Sequence, residues 1–206
     1  MNEKIKNIIL VIFVLLIIVI LIFGIKDVVS QIKYRKTIEE ILIDDVEIER
    51  KWLIKEEDIP YDLSKAEKIE IEQTYINFSP EIRVRRINGG EAYTFAVKSN
   101  MTSDGMIRDE LEENITEEEY NNLVRKQEGN TIHKIRYQFL DGDYLLAIDI
   151  FSGDLKGLAY LEVEFTNKNV ANEFQTPLWV IKEVTDDIRY KNGHLARYGI
   201  PLDSDE

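Results

Sequence analysis

The 206-residue sequence has no cysteine, only two histidines, four prolines and ten glycines. Without thiols it cannot build a disulfide scaffold, a thiolate zinc site, an iron–sulfur cluster or a cysteine nucleophile. Two histidines, His133 and His194, are too few for a poly-His metal centre. So little proline and glycine excludes a collagenous or low-complexity chain. Positive charge is also short: 26 Lys and Arg stand against 39 Asp and Glu, a net charge of −13. An acidic chain does not bind nucleic acid in bulk, because that binding needs a cationic surface to release counterions.

The charge is uneven. Residues 1–36 hold six basic and two acidic side chains, a local charge of +4, which leaves −17 for the rest. Between Ile8 and Ile25 there is no polar side chain. Eighteen helical residues rise about 27 Å, close to the hydrocarbon thickness of a bilayer. The run exceeds the apolar core of a cleavable leader, and no small-x-small cleavage site follows Phe23. Residues 1–26 are therefore expected to form one transmembrane anchor and 27–45 a juxtamembrane stalk, with a Thr37-x-x-Glu40 capping box. Lys4 and Lys6 precede the span, whereas Lys26, Lys33, Arg35 and Lys36 follow it. This balance places the following domain, residues 46–206, on the cytoplasmic side of a single-pass membrane protein.

From residue 46 the hydrophobic period is two, which predicts strands. The runs are 46–54, 69–76, 81–87, 91–99, 106–115, 131–140, 144–151 and 158–166. Thr116-x-x-Glu119 caps a short helix through about Lys126, ended by Gly129. Asp141-Gly142-Asp143 signals a hairpin. The tail holds a Pro177-Leu178-Trp179 segment and a helix near Asp187–Arg197. Eight strands joined mostly in sequence predict an up-and-down antiparallel sheet, closed or nearly so, with short covering helices.

Charges recur on one face of these strands: Glu47, Glu49 and Lys51; Arg83 and Arg85; Lys98; Arg108, Glu110 and Glu112; Lys134 and Arg136; Asp149; Glu162 and Glu164. The opposite faces are apolar or aromatic. On a single strand, the plain interpretation is a face turned to water. If the sheet closes and helices cover the apolar exterior, the charged face becomes the lumen. Fourteen buried charges must then be paired, hydrated or liganded, since unpartnered burial exceeds a domain's whole stability of about 5–15 kcal/mol. Lys and Arg clusters suit a phosphate chain. Carboxylate clusters suit a hard divalent cation, Mg²⁺ or Mn²⁺.

The ordered set resembles the CYTH superfamily, the triphosphate tunnel metalloenzymes. Glu47-Ile48-Glu49-Arg50-Lys51 is similar to its Glu-x-Glu-x-Lys signature. The likeness continues through Arg83-x-Arg85, Lys98, Arg108-x-Glu110-x-Glu112, Lys134-x-Arg136-Tyr137, Asp149-x-Phe151, Gly157-Leu158, Glu162-x-Glu164 and Glu183-Val184-Thr185, nearest to short bacterial members that act on inorganic triphosphate. The resemblance implies an eight-stranded antiparallel β-barrel whose lumen takes a triphosphate and Mg²⁺ or Mn²⁺. It implies metal ligation by Glu47, Glu49, Glu162 and Glu164. Phosphate ligands would be Lys51, Arg83, Arg85, Lys98, Arg108, Lys134 and Arg136. Lys51, Glu110, Glu112 and Asp149 would be catalytic, the three acids placing the water or a second metal. The chain departs from the pattern at Ala147, where relatives often carry an acid.

A membrane-tethered hydrolase of inorganic or nucleoside triphosphate is the leading expectation. The alternatives are a non-catalytic polyphosphate or nucleotide sensor, a class IV-type adenylate cyclase, a thiamine triphosphatase and a purely structural barrel. His133 falls opposite the charged face and is expected as a packed exterior residue rather than a base, and His194 is expected exposed. Trp52 and Trp179 are packing residues. Glu117–Glu119 is a solvated helix start, and the Asn114-Ile115-Thr116 sequon is discounted for a cytoplasmic domain.

Overall fold

The architecture is that of a computed structural model, which describes residues 33, 46–99 and 107–202, with backbone alone at residues 46, 47, 99 and 107–109. Contacts divide the chain into two units, Met1–Glu39 and Glu40–Glu206, and every strand belongs to the second. Apart from Lys33, the expected anchor, stalk and Thr37–Glu40 cap lie outside the described residues. Among the described residues, no helix is long and apolar enough to cross a membrane.

Among the described residues nine strands form one sheet: β1 Val46–Leu53, β2 Glu67–Phe78, β3 Glu81–Ile87, β4 Ala92–Ser99, β5 Ile107–Asn114, β6 Glu128–Asp141, β7 Tyr144–Ser152, β8 Ala159–Glu164 and the short β9 Lys182–Glu183. In this unit the described residues also form the helices α1 Glu117–Val124, α2 Lys168–Glu173 and α3 Asn192–Tyr198. The eight sequence-predicted strands are all present. Their order corrects the up-and-down expectation. The sheet runs β5-β4-β3-β2-β6-β7-β8-β1-β9, and β5 pairs with β1 to close it. β1 sits between β8 and β5, β2 lies against β6 and β9 lies against β1, so the joins β1–β2, β5–β6 and β8–β9 link strands that are not neighbours.

Local chemistry explains the ends of α1. Thr116 accepts from the Glu119 N–H while the Glu119 carboxylate accepts from Thr116 N–H, a complete capping box. Gly129 does not end this helix, contrary to expectation; it lies inside β6 at φ 71°. The tail helix is split into a 3-10 turn, Ile188–Tyr190, and α3.

The exterior of β1, β7 and β8 carries an apolar core of Trp52, Leu146, Ile148, Leu161 and Val163, over which α2, Phe174, Trp179 and Val180 pack. A second cluster lies on the inner face. Tyr75, Ile132, Phe151 and Tyr160 join Val184, Tyr190, Leu195 and Ala196 of the tail, so the C-terminal segment gives the lumen an apolar floor. β7 and β8 are buried on both faces, which is why their alternation is blurred.

Gly129 meets α3 closely: a Cβ there would lie 2.7 Å from the Ala196 carbonyl oxygen and 3.1 Å from Phe78 Cζ. Gly142, at φ 62°, has open space. Gly142→Ala should cost about 1 kcal/mol, the left-handed penalty alone. Gly129→Ala should cost about 2–4 kcal/mol, because overpacking adds to that penalty. Urea denaturation checks the pair; equal losses would show that the α3 contact is unimportant.

Candidate active site

Register alone brings the charged set together. Cα partners in a sheet project to one face. Glu49 and Lys51 pair with Glu164 and Glu162 on β8, and the same face carries Ala147 and Asp149 on β7, and Arg136 and Lys134 on β6. Across β2 the same face carries Gln73 and Tyr75, then Arg85 and Arg83 on β3, Lys98 on β4, and Glu110 and Glu112 on β5. The circuit closes where Arg108 faces Glu47. All fourteen sequence-predicted residues therefore share the inner face. For Glu47 and Arg108 this placement rests on the backbone, their side chains lying outside the described part.

The described side chains form two ion-paired groups. In the first, Glu110 is shared between Arg83 Nη2 at 2.7 Å and Lys98 Nζ at 2.8 Å. Arg85 Nη1 donates to Glu112 Oε2 at 3.0 Å. In the second, Asp149 is fully buried and takes both Arg136 Nε and Nη2 at 2.8 Å, together with the Lys134 ammonium. Glu162 bridges Arg136 and Lys51, the latter at 2.7 Å.

The electrostatics follow from this packing. Burial alone would raise the Glu162 carboxyl, but Lys51 and Arg136 hold it well below the usual range. Burial would lower Lys51, yet Glu162 and Glu49 carry it above an ordinary lysine. For Lys134 burial wins, aided by Arg136 and opposed by Asp149, and its pKa falls to about 8. Burial and the adjacent Arg83 also lower Arg85.

Several participants escape the strand pattern. Lys191, in the tail, donates to Glu49 Oε1 at 3.1 Å and is buried. Gln73 is fully buried with its amide used at both ends: Nε2 donates to Tyr75 Oη at 2.6 Å, and Oε1 accepts from Arg85 Nε at 2.9 Å. Glu81 Oε1 lies 3.7 Å from Arg83 Nη1. The Tyr160 ring lies 5.1 Å beneath the Lys51 ammonium. Only an uncharged, two-residue period marks Gln73 in the sequence, and nothing periodic marks Lys191. His133 is exposed rather than packed as expected; His194 is half-buried, its ring 4.5 Å from that of Tyr198 and tilted 48° to it, against the exposed expectation.

Glu49 and Glu164 are direct cross-strand neighbours, and Glu162 follows on the same face. This all-oxygen donor set fits a hard divalent cation in its chemistry. Among the described residues no three acidic side chains gather closely enough to enclose one. Glu162 bonds to Lys51 and Arg136 and Glu49 bonds to Lys191, while Glu164 and, by its backbone position, Glu47 share the same inner face.

Lys134 binds its proton less tightly in the folded chain, near 8, than at the ordinary 10.5. The unfolded chain therefore holds the extra proton between these values, and the stability contribution of Lys134 rises with pH from about 8 to 10.5. NMR titration of the Lys134 side chain should show a midpoint near 8. A midpoint at or above the ordinary value would mean that Asp149 outweighs burial.

The sequence pattern of the CYTH domain matches residues 45–191. An inorganic triphosphatase of Nitrosomonas europaea is 34% identical over 155 residues, 73% of this chain and 96% of that protein. An inorganic triphosphatase of Acetivibrio thermocellus is 33% identical over 153 residues, 73% and 93% of the two chains. The crystal structure of an inorganic triphosphatase is similar at a TM-score of 0.54 and 32% identity, covering 73% of this chain and 93% of that one.

Proposed function

The chain belongs to the CYTH domain family, and from that premise we propose that it is a divalent-metal-dependent hydrolase of inorganic triphosphate. The observation that carries this reading is the balanced charge of the lumen. Among the described side chains, the cations are Lys51, Arg83, Arg85, Lys98, Lys134, Arg136 and Lys191. The carboxylates are Glu49, Glu81, Glu110, Glu112, Asp149, Glu162 and Glu164, equal in number. A lumen near neutrality gains no net attraction for a polyanion. It would take one by exchanging carboxylates for phosphate oxygens at its cations, and a divalent cation held at Glu49 and Glu164, with Glu47, would supply the charge that restores the balance.

Arg83, Arg85, Lys98, Arg136 and Lys51 then ligate phosphate oxygens and neutralise the charge of the transferred group. Glu49 and Glu164, with Glu47, would hold the metal, which when bound supplies Lewis-acid polarisation of phosphate oxygens. Asp149 is saturated by Lys134 and Arg136, so it orients that pair rather than a water. Glu110 is likewise taken by Arg83 and Lys98. Glu112 is the most open of the three acids, its side chain 37% exposed, and is the one best placed to orient the attacking water in line with the terminal phosphoryl group.

Inorganic triphosphate is favoured over a nucleotide because the inner aromatics offer no stacking face. Tyr75, Phe151 and Tyr160 are each at most 2% exposed and lie in the apolar floor. This speaks against the cyclase, thiamine triphosphatase and nucleotide-sensor alternatives. The apolar run Ile8–Ile25 would tether the barrel to a membrane, with the site on the cytoplasmic side.

The test is phosphate release by the full chain from inorganic triphosphate and ATP, with Mg²⁺, Mn²⁺ or EDTA. Metal-dependent release, faster with inorganic triphosphate and reduced by about 10²-fold or more in Glu49→Gln, is expected. Binding of triphosphate without release under any metal would replace the hydrolase with a sensor.

A further inference from the structure

We propose that Thr185, oriented by Glu183 and Arg50, is a positioning residue for Lys51. The proposal deepens the triphosphatase reading and rests on it in one respect, that Lys51 touches phosphate. The argument begins at an unusual edge. β1 has two short partners on its outer side: β5 opposite Val46–Ile48 and β9 opposite Trp52–Leu53. Between them, on that side, no strand of the described residues faces Lys51. Its N–H and C=O point into this gap, and Lys51 is only 2% exposed, so water cannot serve them.

The segment after β9 fills the gap from the two adjacent residues Val184 and Thr185. Val184 N–H donates to the Lys51 carbonyl at 2.9 Å. Thr185 Oγ1 accepts from Lys51 N–H at 3.0 Å. The peptide groups flanking the Lys51 Cα are thus held by one short stretch of the tail.

A hydroxyl can donate or accept, and here its neighbours choose. Thr185 Oγ1 lies 2.8 Å from Glu183 Oε1, which can only accept. The hydroxyl proton therefore goes to Glu183, leaving a lone pair for Lys51 N–H. Glu183 is fixed in turn by Arg50, whose Nε and Nη2 reach its two oxygens at 2.8 and 2.6 Å. Arg50 Nη1 also donates to the carbonyls of Ala171 and Phe174, at 3.0 and 2.9 Å. The pair is partly exposed and adds little stability by itself. Its chemical consequence is the direction of one hydroxyl, on which the backbone of a lumen cation depends.

Valine has nearly the volume of threonine but leaves the Lys51 N–H unpaired, whereas serine keeps the hydroxyl. The experiment compares wild type, Thr185→Val, Thr185→Ser, Lys51→Met and the Thr185→Val/Lys51→Met double variant, each as the full chain. Triphosphate hydrolysis is read as kcat and KM, with urea stability and amide hydrogen exchange at residue 51 alongside. Thr185→Val should lower kcat by about 10- to 100-fold with a smaller change in KM, because a displaced charge is missed most in the transition state. Thr185→Ser should recover most of it. In the Lys51→Met background Thr185→Val should cost nothing further, and the residue-51 amide should exchange faster in Thr185→Val. Three results overturn the proposal: wild-type kcat in Thr185→Val, equal damage from Thr185→Ser, or losses that multiply in the double variant. If wild type releases no phosphate, the triphosphatase reading falls alone. The exchange rate at residue 51 then decides the positioning, an unchanged rate overturning it.

Discussion

Everything in this barrel depends on burying opposite charges in near-equal number. An isolated buried ion costs several kcal/mol even after relaxation, and a pair recovers that only with good geometry and further hydrogen bonds. The lumen meets the condition by sharing. Asp149 serves Lys134 and Arg136, Glu162 serves Arg136 and Lys51, and Glu110 serves Arg83 and Lys98. Such an interior contributes little net stability. The apolar exterior and the floor must supply it, which accounts for the large buried residues Trp52, Ile148 and Leu161 on one side and Tyr75, Tyr160 and Leu195 beneath.

The same constraint joins folding to ligand binding. A network already satisfied internally resists water and holds its guanidinium and ammonium groups near where charge will arrive. On the proposed reading, an incoming phosphate chain would exchange one anion for another at each cation instead of ordering it from a disordered state. Preorganisation of this kind is the form of electrostatic catalysis that needs least reorganisation during reaction. The tail is integral to it. Its apolar residues form the floor, Lys191 reaches Glu49, and Thr185 and Val184 complete the edge of β1.

The fold was legible where the period of two was clean. The charged faces of β1, β3, β5 and β6 are visible as i, i+2 sets, and the barrel register gathers those sets on one face. Strand order was not legible. Nothing local in β1 says that its neighbours are β8 and β5, since that pairing joins segments about 60 and 115 residues away. Gly129 was misread because a glycine after a helix and a glycine at a left-handed position within a strand look alike in sequence. Gln73 and Lys191 were missed for different reasons. Gln73 is uncharged among charged neighbours, and Lys191 lies in a non-periodic tail where only tertiary contact reveals its role. The family resemblance supplied what periodicity could not, the division of the charged set into phosphate and metal ligands.

Ala147 shows how the charge constraint handles a departure from the family pattern. It lies on the inner face, directly between Gln138 and Glu162 in the register, and is 5% exposed. An acid here would stand beside Glu162, a like-charge neighbour in a poorly solvated place. It would draw in a further cation, such as a second metal, or raise a carboxyl pKa. With alanine, Glu162 stays committed to Lys51 and Arg136, and the described lumen balances without another cation. On the proposed triphosphatase reading, the substitution would favour a site that takes a single divalent ion rather than two. Metal demand would be set by the charge of the arriving phosphate chain, not by an excess of carboxylates waiting in the barrel.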